Sequence, residues 1–486
     1  MGRFALKELG HDAKNRVKKI CILILWLLIW QIAARLLDND ILLAGPVDAG
    51  KALGRLLATW DFYKICLASM GRILAGFFLA FALGIPAGGL SYGFPLADEL
   101  LKPVLSVMKS IPVASFVVLL LIWQGSEHLS VWISFFVVFP NACVSMKNGL
   151  KAVDFRLLEM ADVFRIRGWK RLFYIYRPSL VQFLCSGMEI CVGMAFKSGV
   201  AAEVIGVTDL SIGERIYISK IYLDTPGLFA WTIALIVLSF CVEKLILKGT
   251  ALLLNPVKGY RNIYLQKKYK SVSEDGNRDT GRYAAETDEG AAGTNAVVLS
   301  HIYKSFGEKE VLSDVNMEIK KGGRYMLMGP SGSGKTTLLR IIAGLEQADS
   351  GQIEGKTKNA FLFQEDRLLE KEFTITNIML TDDKYGEGLG EILPESCFFL
   401  PAYTLSGGMK RRCALARALF YEMDNEDAVC ILDEPFTGLD EETKAKTAEF
   451  IKKYLMGRTL IVATHDEKDA ELLGGSIWNM KKSGLL

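Results

Sequence analysis

The chain is poor in the residues that build metal and disulfide chemistry. It has four His, and its nine Cys are scattered singly, with no CxxC pair and no His beside them at metal-ligand spacing. That spacing excludes a disulfide framework and a zinc site. Six of the nine lie in or beside apolar blocks, where Cys behaves as a small hydrophobe. Net charge is also scarce: 57 Lys and Arg against 54 Asp and Glu leave +3, which argues against a nucleic-acid-binding surface spread over the protein. A third absence is at the N-terminus. The basic lead and apolar run of "MGRFALKELGHDAKNRVKKICILILWLLIWQIAARLL" are not followed by a small-residue cleavage site and a soluble mature domain. More apolar segments follow, so the run is expected to stay as a first transmembrane helix.

What the chain does have is length and two contrasting halves. Its 486 residues suggest two or three domains, and 51% are hydrophobic. Uncharged stretches recur at 20–34, 73–97, 110–126, 128–146, 178–188 with 190–196, and 225–242. A spanning helix wants about 20 mostly apolar residues. Several runs are shorter, yet six in succession are hard to bury in a soluble fold. The pattern predicts six spans within a membrane domain over 1–250. Lys and Arg bias sets their orientation. The basic tail (Arg3, Lys7, Lys14, Arg16, Lys18, Lys19), the loop at 155–178 and "KGYRNIYLQKKYK" all fall on one side of the membrane if six helices cross, and that side is the cytoplasm.

Two membrane helices carry further signals. Small residues dominate "GRILAGFFLAFALGIPAGG" and permit close helix packing. The fifth helix carries Glu189, Lys197 and Glu203. Ionisable groups at membrane depth cost several kcal/mol on some scales and usually face a bundle interior. They read as a polar pathway wall, a contact between two copies, side chains snorkelling to the headgroups near the helix ends, or a neutralising pair with no transport role. The region 251–295 is rich in Gly, Ser, Thr, Asp and Glu with hardly any large apolar residue, so it reads as a flexible linker.

The soluble half, 296–486, opens on a nucleotide motif, "YMLMGPSGSGKTTLLRIIAGL". A buried strand runs into a Gly-rich turn (Gly329, Pro330, Ser331, Gly332, Ser333, Gly334) and then a helix starting near Lys335, Thr336 and Thr337. This is the phosphate-binding P-loop: the glycines let backbone N–H groups wrap phosphates, and the helix start adds a favourable dipole. Lys335 would neutralise the β- and γ-phosphates of ATP, and the Thr336 hydroxyl would reach Mg2+. A second strand, "AVCILDEP", delivers Asp433 and Glu434 at its C-terminal end, where ligands bind in open α/β sheets. Asp433 suits a Mg2+ ligand and Glu434 a general base for the attacking water. A third strand, "TLIVATH", ends in His465, placed to contact the γ-phosphate.

Together these pieces resemble the ATP-binding cassette ATPases over about 296–480. "LSGGM" at 405–409 looks like that family's signature loop, with Met409 where Gln is commoner. Phe306 matches the aromatic that stacks on adenine, "GLD" at 438–440 the D-loop, and Gln364 the Q-loop glutamine, which the resemblance implies as a further metal and nucleotide contact. It also implies that two cassettes dimerise head to tail, so that Ser406, Gly407 and Gly408 of one copy meet the ATP held by the other. The segment between Gln364 and Ser406 is shorter than the helical subdomain usually inserted there, and is acidic: Asp382, Asp383, Glu387, Glu391 and Glu395 against Lys384.

The first half resembles permeases of binding-protein-dependent importers, particularly the nitrate, sulfonate and taurine group, in "GRILAGFFLAFALGIPAG", "IPVASFVVLLLIWQG" and "AFKSGVAAEVIG". That family's cytoplasmic Glu-Ala-Ala loop is matched by Glu159, Ala161, Ile175 and Pro178, with departures at Met160, Arg165 and Arg177. In the family this loop is the coupling helix that inserts into the cassette. The implied architecture is an all-α membrane permease of about six transmembrane helices fused to a soluble α/β P-loop NTPase. The implied function is ATP-driven import of a small solute by a homodimer in the lipid of the cytoplasmic membrane, served by an extracytoplasmic solute-binding protein. A fused half-exporter and a membrane-anchored ATPase that remodels a partner are the alternatives. The excess bases of 155–178 are expected to face the acidic run from Asp382 to Glu395.

Overall fold

The computed structural model describes residues 2–37, 39, 41–254, 295–355, 358–381, 388–481 and 484–485. The expected linker falls almost wholly on 255–294, outside the described residues, as do Asp382, Asp383, Lys384 and Glu387 of the acidic run. The chain packs as two compact units: residues 1–152 with 179–255, and residues 153–178 with 256–486.

The first unit is helical: α1 (Gly2–Leu37), α2 (Pro46–Leu57), α3 (Trp60–Gly93), α4 (Pro95–Ser110), α5 (Val113–Gln124), α6 (Leu129–Lys151), α9 (Arg177–Gly206), α10 (Ile212–Ile221) and α11 (Thr225–Leu254). The small residues of α3 do what their size allows. A Cβ at Gly76 would sit 2.1 Å from the Val131 carbonyl oxygen, and one at Gly88 2.5 Å from that of Cys143, so only glycine lets α3 lie this close to α6. Around this contact Phe77, Ala80, Phe81, Val138, Ala142, Val192 and Phe196 form the main core of the unit.

Among the described residues, five helices are long and apolar enough to cross a membrane, or up to six if a bent pair counts as one span. That pair, α4 and α5, is bent by 101° and replaces the single expected span over 110–126. The reason is local: Ile111 and Pro112 are extended, Pro112 supplies no N–H to continue a helix, and the 12 residues of α5 reach only about 18 Å of the roughly 30 Å hydrocarbon thickness.

The second unit is built on two sheets. β1 (Asn295–Phe306), β2 (Lys309–Lys320) and β4 (Ser350–Glu354) form an antiparallel sheet in the order β2-β1-β4. β3 (Arg324–Met328), β5 (Asn359–Leu362), β6 (Val429–Asp433), β7 (Thr459–Thr464), β8 (Ser476–Lys481) and β9 (Gly484–Leu485) form the other, ordered β5-β6-β7-β3-β8-β9. Its first five strands are parallel. Every residue of β6 and β7 is buried, as a parallel sheet covered on both faces requires. Among its described residues, the short region before the signature loop holds the small helices Thr374–Met379 and Leu389–Ile392 and the 3-10 turns Glu395–Cys397 and Ala402–Thr404, ahead of the helix Gly407–Phe420.

The stretch 155–178 belongs to this second unit and is not one helix. α7 (Phe155–Val163) is capped by Asp154, whose carboxylate accepts from the Arg156 N–H at 2.9 Å. Positive φ at Arg165 (51°) and Gly168 (58°) then breaks the chain. α8 (Gly168–Arg171) follows and leads through a π-helical turn, Leu172–Tyr176, into α9. The fifth apolar helix therefore begins at Gly168, about ten residues ahead of the start at 178 that the apolar run suggests. Met160, Ala161, Phe164, Ile166 and Ile175 are each at most 3% exposed within the hydrophobic core of the second unit.

Candidate functional site: the nucleotide loop and the segment that docks beside it

Three strand ends converge at the C-terminal edge of the parallel sheet. β3 runs into the loop 329–334, β6 ends on Asp433 followed by Glu434, and β7 ends just before His465. Gly334 has φ 93° and caps the helix Lys335–Ile342; a Cβ there would press to 3.0 Å on the Val311 carbonyl oxygen. The glycine is required by both conformation and space. Lys335 is buried, and its Nζ donates to the carbonyls of Gly329 (2.6 Å) and Pro330 (3.1 Å). Burial pulls its pKa below the ordinary lysine value, against the opposing pull of the Glu434 and Asp433 charges.

Asp433 is 1% exposed, and burial pushes its carboxyl pKa up despite a hydrogen bond from Thr336. Its Oδ2 and the Ser333 hydroxyl are buried without a hydrogen-bond partner among the described residues. A buried carboxylate oxygen lacking a donor, beside a hydroxyl and a lysine, fits a divalent cation and the phosphates it would accompany. Glu434 has φ 50°, a conformation uncommon outside glycine. Its N–H donates to the Ala463 carbonyl (2.9 Å), while its carboxylate accepts from Thr437 Oγ1 (3.2 Å) and lies 3.4 Å from His465 Nδ1. Thr437 was not singled out by the sequence.

The other sequence-predicted residues sit around this centre. Phe306 is 52% exposed at the end of β1, with Lys304 Nζ over its ring, 5.2 Å from the centroid. Gln364 is exposed in the loop after β5. Ser406 caps a separate helix start, accepting from the Met409 N–H at 3.4 Å, and Gly408 packs against Gly438 and Leu439 of the D-loop. Asp440 caps the helix Glu441–Leu455 through the Thr443 N–H (3.0 Å) and hydroxyl (2.9 Å).

Arginines that the sequence left unread tie these pieces together. Arg340, on the helix after the P-loop, and Arg367, just past Gln364, both bind Glu159 of α7: Arg367 Nη1 at 2.5 Å and Arg340 Nη1 at 3.3 Å, with a second, closer bond from Arg340 Nη2. Arg367 also stacks on Phe363, 3.7 Å from the ring centroid. The cue was faint, since a lone Arg on an amphipathic helix usually faces solvent. This contact is additional to the expected one, and in it an acid of 155–178 meets bases of the ATPase domain, while Asp382, Asp383 and Glu387 of the expected acidic run lie outside the described residues. Of the expected acidic partners that are described, Glu391 is engaged elsewhere, by Lys453 (2.8 Å) and Tyr454 (3.0 Å). Lys170 Nζ approaches the Leu380 carbonyl at 3.4 Å, next to the undescribed part of the run.

In the first unit, Glu203 is fully buried. It accepts from Ser69 Oγ (2.9 Å) and the Gly213 N–H (3.3 Å), with Arg72 Nε at 3.6 Å, so it ties α3, α9 and α10 together. Glu189 and Lys197 are exposed on α9.

The fold and site define a P-loop ATPase carried in one chain with a helical membrane unit. Residues 312–437 match the model of the ABC transporter family, and residues 80–246 that of the binding-protein-dependent transport system inner membrane component. The aliphatic sulfonates import ATP-binding protein SsuB 3 of Rhodococcus jostii is 36% identical over 199 residues, 39% of this chain and 72% of that protein. The SsuB protein of Corynebacterium glutamicum is 36% identical over 196 residues, 37% of this chain and 79% of that protein. A solved dimeric ATP-binding cassette in a post-hydrolysis state with ADP and Pi is 29% identical, covering 39% of this chain and 96% of that one at a TM-score of 0.35. The chain belongs to the ABC transporters: it is an integral membrane protein that joins a permease of the binding-protein-dependent type to an ATP-hydrolysing cassette.

Proposed function

We propose that the protein imports a small solute of the aliphatic sulfonate type as a homodimer, receiving it from an extracytoplasmic solute-binding protein. The cassette and residues 153–178 face the cytoplasm in this reading. The family match of the membrane half and the import role of the cassette's relatives support it. The observation that carries it is Glu159, held by Arg340 next to the P-loop and Arg367 next to Gln364. A shift of either element on ATP binding would move the segment that runs directly into α9. With the basic N-terminal tail also cytoplasmic, the bent α4–α5 pair must count as one crossing.

In the ATPase cycle, the N–H groups of 329–334 and Lys335 bind the phosphates, Lys335 exchanging its two carbonyl acceptors for phosphate oxygens. Mg2+ held by Thr336 and Asp433, with Gln364 as a further ligand, would neutralise charge on the β- and γ-phosphates. Glu434 takes the proton of the attacking water, and His465 steadies the γ-phosphate side. Phe306 stacks on the base. Ser406, Gly407 and Gly408 serve the nucleotide of the second copy.

The test is uptake of a labelled alkanesulfonate by proteoliposomes with ATP enclosed. Uptake should require both ATP and the binding protein; uptake without a binding protein would overturn the import scheme. Glu189 and Lys197, exposed on a membrane helix where charge is costly, are assigned to the solute path. Lys197→Met should reduce uptake by about tenfold or more, the scale of one lost hydrogen bond to a charged group. Uptake at the parent rate would return both residues to a lipid-headgroup role.

A further inference from the structure

One guanidinium joins the helix after the signature loop to the Gln364 loop and to the end of β6. Arg411, one turn into the helix that follows the signature loop, is 3% exposed. Its Nη1 donates to the carbonyls of Phe363 (2.6 Å) and Gln364 (3.1 Å) and to Asp366 Oδ1 (3.3 Å). Its Nη2 donates to the carbonyls of Asp433 and of Glu434, the latter at 2.8 Å. A planar fork of fixed geometry is thus shared between the loop bearing Gln364 and the backbone of the two catalytic-strand carboxylates.

We infer that Arg411 is a positioning residue that locks the signature helix to the Gln364 loop and to Glu434, so that a displacement of the signature loop resets the hydrolytic carboxylate. Three observations point the same way. Glu434 is held at a positive φ, a backbone state that needs outside support, and Arg411 is one of the few groups that touch its carbonyl. The guanidinium donates to backbone carbonyls of two loops and to a single side chain, Asp366, so it fixes main-chain position. It stands on the same rigid helix as Ser406 and Gly408, one turn along. On the two-copy reading those residues read the other nucleotide, so Arg411 gives each ATP site a mechanical report of the other.

The experiment uses the full-length protein in lipid nanodiscs with Arg411→Met, Arg411→Lys, Glu434→Gln and the Arg411→Met/Glu434→Gln double variant. Arg411→Met should lower kcat by about 100-fold, the low end of what a mispositioned general base costs, with KM for ATP within threefold because its hydrogen bonds go to residues outside the P-loop. Arg411→Lys keeps three donors and should recover part of that loss, and ATP cooperativity should fall in both. In the Glu434→Gln background Arg411→Met should cost nothing more, since both act through one carboxylate. An equal further loss there, or a KM that rises with the fall in kcat, overturns the inference. If Arg411→Met does not fold, Asp366→Ala removes its only side-chain partner among these bonds and should reduce cooperativity with KM preserved; unchanged cooperativity is again a refutation. The inference rests on Glu434 being the base. A Glu434→Gln variant that turns over normally would remove that reading first, whereas additivity sinks the role of Arg411 alone.

Discussion

Glu434→Gln is expected to lower ATP turnover by about 100- to 10,000-fold, the span that a lost general base usually costs. Glutamine keeps the shape and can still accept from Thr437, so the loop after β6 should hold its path. Lys335, Asp433 and the P-loop backbone are untouched, so ATP should bind and remain bound. A phosphate-release assay measures the first effect and equilibrium binding of a fluorescent ATP analogue the second. Turnover near the parent rate would mean that another group activates the water. His465→Ala removes the neighbour 3.4 Å from the same carboxylate and should give a smaller loss, because that side chain is 63% exposed and only orients.

Glu159→Ala should separate ATP hydrolysis from transport. Truncating one partner of a hydrogen-bonded charge pair costs about 2–5 kcal/mol, much of it from the charges left behind. Here two arginines are left facing one another, and the side chain of Arg367 is only 6% exposed. The expected readout is the number of ATP hydrolysed per solute imported, which should rise at least about tenfold on that energy scale. A matched swap, Glu159→Arg with Arg340→Glu, should bring the ratio part of the way back. An unchanged ratio in Glu159→Ala would remove this contact from the coupling route.

The contact also has a defined pH window. Burial alone would raise the Glu159 pKa, but the hydrogen bonds from Arg340 and Arg367 outweigh it and hold the carboxyl below its usual value. A depressed folded pKa contributes stability above the unfolded value, about 4.3, and loses it only as pH falls through the lower folded value. Coupling should therefore be flat across about pH 6–8, where only histidines titrate, and fail in acid. A ratio that drifts across neutrality would point to a histidine instead.

The ATP site was legible because its chemistry is local in sequence. A P-loop packs strand, turn and helix into consecutive residues, and Asp433 with Glu434 ends an unmistakable apolar strand. What escaped was long-range. Arg411 looks like any base in "MKRRCALAR", and nothing local says that its guanidinium reaches Gln364 and Glu434. The bend between α4 and α5 escaped because hydropathy counts residues and ignores Pro112, which ends one helix axis and starts another. The Glu159 contact escaped because charge counting weights every charged residue of 155–178 equally. Arg156, Arg165, Arg167 and Lys170 are exposed, whereas the one acid that matters, Glu159, is turned inward.

The division of the chain also sets a timetable for its synthesis. Residues 153–178 belong to the core of a unit whose described strands are encoded from 295 onward, with two membrane helices in between. The ribosome adds about 5–20 residues per second, so Met160, Phe164, Ile166 and Ile175 wait tens of seconds for the surface that covers them. During that interval an apolar strip lies open between membrane insertion and cassette folding, and it needs protection by chaperone or lipid. A cassette made alone from residue 295 onward has the complementary problem. It carries a matching bare patch and should aggregate unless the missing 26 residues are supplied in trans.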